Sequence, residues 1–205
     1  TFQKPRPGGF NNEKRNQLLN KIRALGLNQC DTALANGRES GHSDDAIGEQ
    51  TGATSVLSTH NAPMLNRPEV IAVGASTGGI HAINLLLKEL SPDCTLPILI
   101  TQHLPSNFIP VFAHQIELAS GRAAKVAEDG TEIRNGEIFI ATGHGHMCIR
   151  RVAGRLVART SAEPAVSGCL PSVDPMLHSL AEACEGSALA IVLSGMGRDG
   201  LEGAQ

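Results

Sequence analysis

Short apolar runs separated by turn-forming residues recur along the chain from Pro68 onward. The runs are EVIAV (69–73), LPILIT (96–101), AKVA (124–127), EIFIA (137–141) and LAIVLS (189–194). The first two and the last are apolar throughout, which is typical of strands that are buried on both faces of a parallel sheet. These runs therefore predict the strands of one buried sheet.

Stretches with helical periodicity lie between these runs, and each carries a stripe of apolar residues. The stripes are Ile80, Ile83, Leu87 and Leu90 after Gly79; Phe108, Phe112 and Ile116 after Asn107; and Val173, Leu177, Leu180 and Ala181 after Ser172, a predicted N-cap. Alternating strands and helices imply right-handed crossovers. The pattern therefore predicts an α/β fold with a doubly wound, mostly parallel sheet flanked by helices. The closely spaced segments GEIFIATG, HMCIRR and GRLVART predict an antiparallel β-hairpin portion within it.

The chain before Pro68 has a different pattern and predicts two further regions. An apolar stripe with helical spacing in residues 12–26 predicts a short amphipathic helix, which is too short to be stable alone. We therefore interpret residues 1–29 as the end of another domain. Residues 30–67 are rich in small polar residues without a sustained period, and they predict a flexible linker. The main domain is expected at residues 68–205.

The composition excludes several classes of protein. Hydrophobic residues make up 41% of the chain, charged residues 18%, and the net charge is −3, so no basic field indicates a nucleic-acid partner. Trp and Tyr are absent, which removes the stacking platforms that single-stranded nucleic acid needs. No apolar run approaches the roughly 18 residues of a membrane span, and no signal-peptide pattern opens the chain. We expect a cytoplasmic protein without membrane insertion.

The cysteines and two of the histidines were considered as metal ligands. Five cysteines are scattered without a CxxC pair, so neither a disulfide framework nor a thiolate zinc site is predicted. His144 and His146 would share one face of a strand, and Cys148 is nearby. A zinc site needs at least three protein ligands, and a further ligand with sensible spacing is missing. We therefore predict no metal.

Three predicted strands are followed by polar residues that do not fit the apolar runs before them. Ser76 follows VIAVGA, His103 follows LPILITQ, and Asp199 follows LAIVLSGMGR. Functional groups gather outside the carboxyl ends of the strands in open α/β sheets. A serine nucleophile, an imidazole base and an orienting carboxylate are the groups of an acyl-transfer triad. The glycines around Ser76 would leave the Thr77 N–H at the start of the next helix, where it suits a developing oxyanion.

The segment GASTG (74–78) leaves other interpretations open. A plain strand-to-helix turn has the same pattern, whereas neither GxGxxG nor the Gly-Lys-Ser/Thr of a phosphate-binding loop matches. The chain order Ser…His…Asp differs from the Ser…Asp…His order of α/β-hydrolases, which disfavours an ordinary lipase or esterase. A non-catalytic α/β binding or adaptor module, and a serine hydrolase acting on other esters, remain the alternatives.

Five longer motifs occur in order over residues 69–203, namely VIAVGASTGG, ITQHLPSNF, EDGTEIRNGEIFIATGHGHM, LPSVDPMLHSLA and IVLSGMGRDG. This part of the chain closely resembles the catalytic domain of the bacterial chemotaxis protein-glutamate methylesterases, the CheB family. The resemblance implies that Ser76, His103 and Asp199 are the catalytic triad. It also implies oxyanion donors at the backbone N–H groups of Thr77 and Met196.

The same resemblance implies an activity and its partners. Members of the family hydrolyse glutamyl methyl esters on the cytoplasmic helices of methyl-accepting chemoreceptors in chemotaxis adaptation, and many also deamidate receptor glutamines. They use no cofactor. The segment FQKPRPGG and the helix predicted after it resemble the end of a response-regulator receiver domain, with Lys4-Pro5 matching that family's Lys-Pro. A histidine kinase would then act on the receiver domain of a full-length two-component phosphoprotein, at an aspartate upstream of Thr1.

The sequence departs from the family pattern in a few places. Family members continue past the position of Gln205, so we expect the domain at 68–205 to be incomplete at its C-terminus. Leu170 stands before PSVD where the family usually has arginine, Thr142 replaces a usual proline, and His144 replaces an acidic or polar residue. The change at Leu170 bears on how an acidic receptor surface would be held rather than on the chemistry.

Overall fold

The computed structural model describes residues 67–193 and 197–205. The predicted helix at 12–26 and the predicted receiver remnant at 1–29 lie outside these residues, as does all but the last residue of the predicted linker at 30–67.

A five-stranded parallel sheet forms the centre of the described part. Seven strands occur among the described residues, and five of them form this sheet. The seven strands are β1 (Val70–Ala75), β2 (Ile98–Gln102), β3 (Ala124–Val126), β4 (Ile138–Ile140), β5 (His146–Val152), β6 (Arg155–Ser161) and β7 (Ala188–Val192). The order in the sheet is β3-β4-β2-β1-β7, and every pairing in it is parallel. Strands β5 and β6 pair separately as an antiparallel hairpin. Because β2 lies on one side of β1 and β7 on the other, β1 is the topological switch point of the sheet.

Helices cover both faces of this sheet. The helices are α1 (Gly79–Glu89), α2 (Ile109–Ser120) and α3 (Val173–Cys184). On one face, Ile83 of α1 and Phe112 of α2 belong to the same buried cluster as Ile100 of β2. On the other face, Met176 of α3 and Met147 of the hairpin are buried in a second cluster. The predicted fold class is confirmed: a mostly parallel sheet is flanked by helices and carries an antiparallel hairpin.

Two strands differ from their predicted environment. Strand β4 is part of the parallel sheet, between β2 and β3, rather than part of the hairpin portion predicted for GEIFIATG. Strand β7 is not buried on both faces as its apolar pattern predicts, because Ile191 is buried whereas Ala190 and Val192 are exposed. Among the described residues, β7 pairs with β1 on one side and forms an edge of the sheet on the other.

Three predictions about residues of the helices also differ from the structure. Phe108 lies in a 3₁₀ turn (Ser106–Phe108) before α2 and is 54% exposed, so it is not part of the core stripe. Ala181 is exposed, and Cys184 is buried instead at the end of α3. Ser172 occupies the N-cap position of α3, but its side chain makes no capping hydrogen bond. None of the helices within 67–193 and 197–205 is long and apolar enough to cross a membrane.

Glycine allows β1 and α3 to approach each other closely. A Cβ atom at Gly74 would lie 2.5 Å from a methyl carbon of Val173, the first residue of α3. No real Cβ contact is that short, so any larger residue at Gly74 would push the start of α3 away from the sheet. This approach places the N-terminus of α3 beside the carboxyl end of β1.

Candidate active site

The fold brings Ser76, His103 and Asp199 together at the carboxyl edge of the sheet. Ala75 and Gln102 are paired in register at the ends of β1 and β2, so the next residue of each strand leaves the sheet beside the other. Nδ1 of His103 lies 3.0 Å from Oγ of Ser76, and its Nε2 lies 2.6 Å from Oδ2 of Asp199. Both contacts are within hydrogen-bond reach, which is the geometry that a nucleophile, its base and an orienting carboxylate require.

A tight turn between β1 and α1 holds Ser76 in position. Gly78, the residue before α1, has φ 78°, a left-handed conformation that glycine adopts without steric cost. The Ser76 carbonyl accepts hydrogen bonds from the Gly79 N–H at 2.8 Å and from Nε2 of Gln102 at 3.0 Å. The Gln102 side chain therefore ties the end of β2 to the turn that carries the serine.

The carboxylate of Asp199 lies at the N-terminus of α3. Oδ2 accepts a hydrogen bond from the Val173 N–H at 2.8 Å, and Oδ1 accepts one from the Asp174 N–H at 3.4 Å. The Ser172 hydroxyl also donates to Oδ1. The helix is therefore capped by Asp199, which lies 25 positions after Asp174 in the chain, while the serine predicted as its N-cap donates to that aspartate.

These contacts set the charge of Asp199. Burial would by itself raise the pKa of this carboxyl, since the side chain is only 3% exposed. Hydrogen bonds from the His103 ring, the Ser172 hydroxyl and two backbone N–H groups outweigh burial and hold the pKa of Asp199 well below its usual value. Asp199 is therefore ionised at neutral pH. An ionised Asp199 fixes the neutral His103 with its proton on Nε2, which leaves the lone pair of Nδ1 facing the Ser76 hydroxyl.

His146 holds the backbone of Ser172 beside the site, whereas His144 lies outside the site. The ring of His146 is 2% exposed; its Nδ1 accepts a hydrogen bond from the Ser172 N–H at 2.9 Å, and its Nε2 donates to the Glu163 carbonyl at 2.8 Å. His144 is exposed and precedes β5. Within the described residues, these two histidines and Cys148 form no group that could hold a metal ion. Sequence reasoning missed the roles of Ser172 and His146, because the partners that define these roles lie 17 to 27 positions away.

A large open cleft borders the serine. The cleft has a volume of about 1010 Å³ and runs from the Ser76 turn between α1 and α2, where Asn84, Lys88 and Gln115 line it. Thr77 belongs to the lining at the serine end. Met196, predicted as the second oxyanion donor, lies outside the described residues.

A serine in a strand-to-helix turn, aligned with a histidine and a buried aspartate at the switch point of a parallel sheet, defines the chain as an α/β domain of the serine-hydrolase kind. The family to which the chain belongs is a narrower group than this class. A family model described as CheB methylesterase matches residues 71–205, and the chain belongs to this family.

Individual relatives agree with this assignment. The chain is 42% identical over 139 residues to a protein-glutamate methylesterase/protein-glutamine glutaminase of Maricaulis maris, covering 68% of this chain and 35% of the relative. It is 34% identical over 202 residues to a protein of the same name, numbered 1, from Rhodospirillum rubrum, covering 93% of this chain and 52% of the relative. The chain thus spans between 35% and 52% of the length of these two relatives. The crystal structure of the Thermotoga maritima CheB methylesterase catalytic domain matches with a TM-score of 0.64 and 30% identity, over 67% of this chain and 72% of that one.

Proposed function

We propose that this protein hydrolyses glutamyl methyl esters of protein substrates, with Ser76 as the nucleophile, His103 as the general base and Asp199 as the group that orients the base. The observation that carries the proposal is the pair of contacts on the His103 ring, 3.0 Å to the serine hydroxyl and 2.6 Å to the carboxylate. The names of the curated relatives, protein-glutamate methylesterase/protein-glutamine glutaminase, support this choice of substrate.

The proposed mechanism gives each proton of the reaction a donor and an acceptor atom. Oγ of Ser76 attacks the ester carbonyl carbon while Nδ1 of His103 takes the hydroxyl proton. The imidazolium that forms is stabilised through Nε2 by the charge of Asp199. His103 then returns the proton to the leaving methoxide, and methanol departs from an acyl-enzyme. Water attacks this ester with the same base, releases the glutamate carboxylate and restores Ser76.

The oxyanion of each tetrahedral intermediate needs hydrogen-bond donors. We propose the backbone N–H of Thr77 for this role because Thr77 directly follows the nucleophile and enters the turn before α1. Met196 is proposed as the second donor from the motif GMGRDG alone. A glutamine side chain bound in the same way would lose ammonia in place of methanol, so the proposal includes deamidation.

The proposed substrates are the cytoplasmic helices of methyl-accepting chemoreceptors, which would place the protein in the cytoplasm. The open cleft of about 1010 Å³ supports a protein substrate, because a side chain on a helix can reach Ser76 only if the surrounding surface leaves room for its backbone. The proposed upstream partner is a histidine kinase acting on the receiver domain of the full-length protein.

Methanol release from methylated receptor membranes tests the activity directly. Ser76→Ala should remove essentially all turnover, since loss of a triad nucleophile costs on the order of 10⁶-fold. Asp199→Asn should cost about 10⁴-fold, because the neutral amide no longer fixes the His103 tautomer. Ser120→Ala is a matched control, because its hydroxyl bonds the Ile116 carbonyl at the end of α2, away from the site.

Each result separates the proposal from its alternatives. Turnover of receptor esters by Ser76→Ala at the wild-type rate would refute the assignment of the nucleophile. Binding to receptor membranes without any methanol release by wild type would favour a non-catalytic module. Serine-dependent hydrolysis of small methyl esters, with receptor esters untouched, would indicate a hydrolase for other substrates.

A further inference from the structure

Cys169 lies beside the proposed catalytic pair and has no part in the mechanism. Its Sγ atom, a ring nitrogen of His103 and a carboxylate oxygen of Asp199 all lie within 4.8 Å of one another. Within 67–193 and 197–205 this is the one group of three or more such side chains arranged closely enough to hold a metal ion. The other cysteines of the described part belong to no such group: Cys94, Cys148 and Cys184.

The three side chains are the ligand types that zinc prefers. Thiolate, imidazole and carboxylate bind Zn²⁺ with bonds of about 2.0–2.3 Å, which places ligand atoms of a tetrahedral site roughly 3.3–3.7 Å apart. Nε2 of His103 faces Asp199 at 2.6 Å, so the ring and the carboxylate must separate by about 1 Å. The sulfur must approach from at most 4.8 Å, a movement of similar size.

The loop that carries Cys169 permits this movement. It joins β6 to α3, and its residues Gly168 and Leu170 are exposed, so an ion can reach the sulfur from solvent. The Cys169 thiol makes one weak contact, 3.9 Å to the Ser167 carbonyl. Asp199, by contrast, is held by the N-terminus of α3 and provides a fixed ligand.

We propose that His103, Cys169 and Asp199 form a reversible inhibitory site for Zn²⁺, with water as the fourth ligand. Binding moves the Nε2 proton of His103 to Nδ1, so that the ring stays neutral, and replaces the thiol proton of Cys169, which is released to solvent. The hydrogen bond from Nε2 to Asp199 becomes two bonds to the metal. A ring with Zn²⁺ on Nε2 and its proton on Nδ1 has no lone pair left to accept the proton of the Ser76 hydroxyl. Ser76 then loses its base.

Metal binding can be measured without any substrate. Co²⁺ is the probe, because a thiolate bound to Co²⁺ gives a charge-transfer absorption in the near ultraviolet, and Zn²⁺ displaces it by competition. Wild type should show this absorption. Cys169→Ser should lose it and bind Zn²⁺ at least about tenfold more weakly. Cys148→Ser is the matched control and should keep both properties, since Cys148 lies outside the group.

The inhibitory effect is measured as the ratio of hydrolysis with Zn²⁺ to hydrolysis in chelator, for each variant separately. We expect the ratio to fall below one in wild type and in Cys148→Ser, and to stay near one in Cys169→Ser. In wild type the ratio should also rise as the pH is lowered, since protons compete with the metal ion for its ligands. This second measurement rests on the proposed hydrolase function, whereas the Co²⁺ absorption does not. Absence of the absorption in wild type, its persistence in Cys169→Ser, or hydrolysis unaffected by bound Zn²⁺ would overturn the proposal.

Discussion

Replacing Ser172 by alanine tests whether the hydrogen bonds of the proposed carboxylate contribute to folding. The Ser172 side chain is completely buried, and its hydroxyl donates to Oδ1 of Asp199. A hydrogen bond to a charged group contributes about 1.5–3 kcal/mol, so Ser172→Ala should reduce the free energy of unfolding by that amount. The same loss raises the pKa of Asp199, but the hydrogen bonds from the His103 ring and from two backbone N–H groups still hold it below its usual value. The carboxyl therefore stays ionised at neutral pH.

Stability and turnover should consequently respond differently. Asp199 keeps its contacts with His103 and with the two N–H groups of α3, so kcat/KM should fall by no more than about tenfold, far less than the 10⁴-fold expected for Asp199→Asn. Urea unfolding and methanol release on the same preparations measure both quantities. Ser167→Ala is the control, because its hydroxyl donates to Ser172 at 3.2 Å and does not touch Asp199. The reasoning would be refuted if Ser172→Ala differed from wild type by less than about 0.5 kcal/mol, or if its loss of stability were no larger than that of Ser167→Ala.

Two further substitutions give independent tests. Asp199→Asn should have a lower free energy of unfolding than wild type at pH 7, and this difference in stability should narrow below about pH 4. The reason is that folding lowers the pKa of Asp199. Such a carboxyl stabilises the fold above its ordinary pKa and loses that contribution as it becomes protonated in the folded protein. Urea unfolding between pH 7 and pH 3 measures the difference, and a constant gap would contradict the prediction. Gly79→Ala should reduce the free energy of unfolding by about 1–3 kcal/mol and should also lower turnover. The new Cβ would lie 2.5 Å from both Ala75 Cβ and Gln102 Oε1, and it would therefore displace the turn that carries Ser76. Gly136→Ala is its control, with no atom within 4 Å of the added Cβ, so it should alter stability through backbone strain alone and leave turnover unchanged.

The sequence was informative where the signal is local. Ser76 and His103 each follow a fully buried strand, and parallel pairing of those strands brings the two residues together without knowledge of any side-chain contact. Asp199 was also predicted to follow a strand, whereas the position of that strand, β7, on the other side of β1 was not predicted from the sequence.

Contacts between distant residues could not be predicted in this way. Ser172 has the residue type and position of an N-cap, and only the fold shows that Asp199, 27 positions away, takes over the capping of α3. The burial of β7 was predicted wrongly because an apolar pattern does not reveal which strand lies at a sheet edge. His146 resembles a metal ligand in the sequence, whereas its two ring nitrogens are used to hold the backbone of Ser172 and Glu163.

The capping of α3 by Asp199 has a consequence for divergence within the family. A lineage that gave up hydrolysis could replace Ser76 at little cost in stability, since its hydroxyl contacts the His103 ring, whereas replacing His103 would remove a hydrogen bond from the buried carboxylate of Asp199. Asp199 would remain under selection for folding alone, because its loss leaves the first N–H groups of a buried helix without partners. Asparagine would be only a partial replacement, since Val173 and Asp174 bond different oxygens of Asp199 and an amide has one acceptor oxygen and a donating NH2 group. An aspartate retained at this position in a relative without the serine would therefore indicate a requirement of folding and not activity.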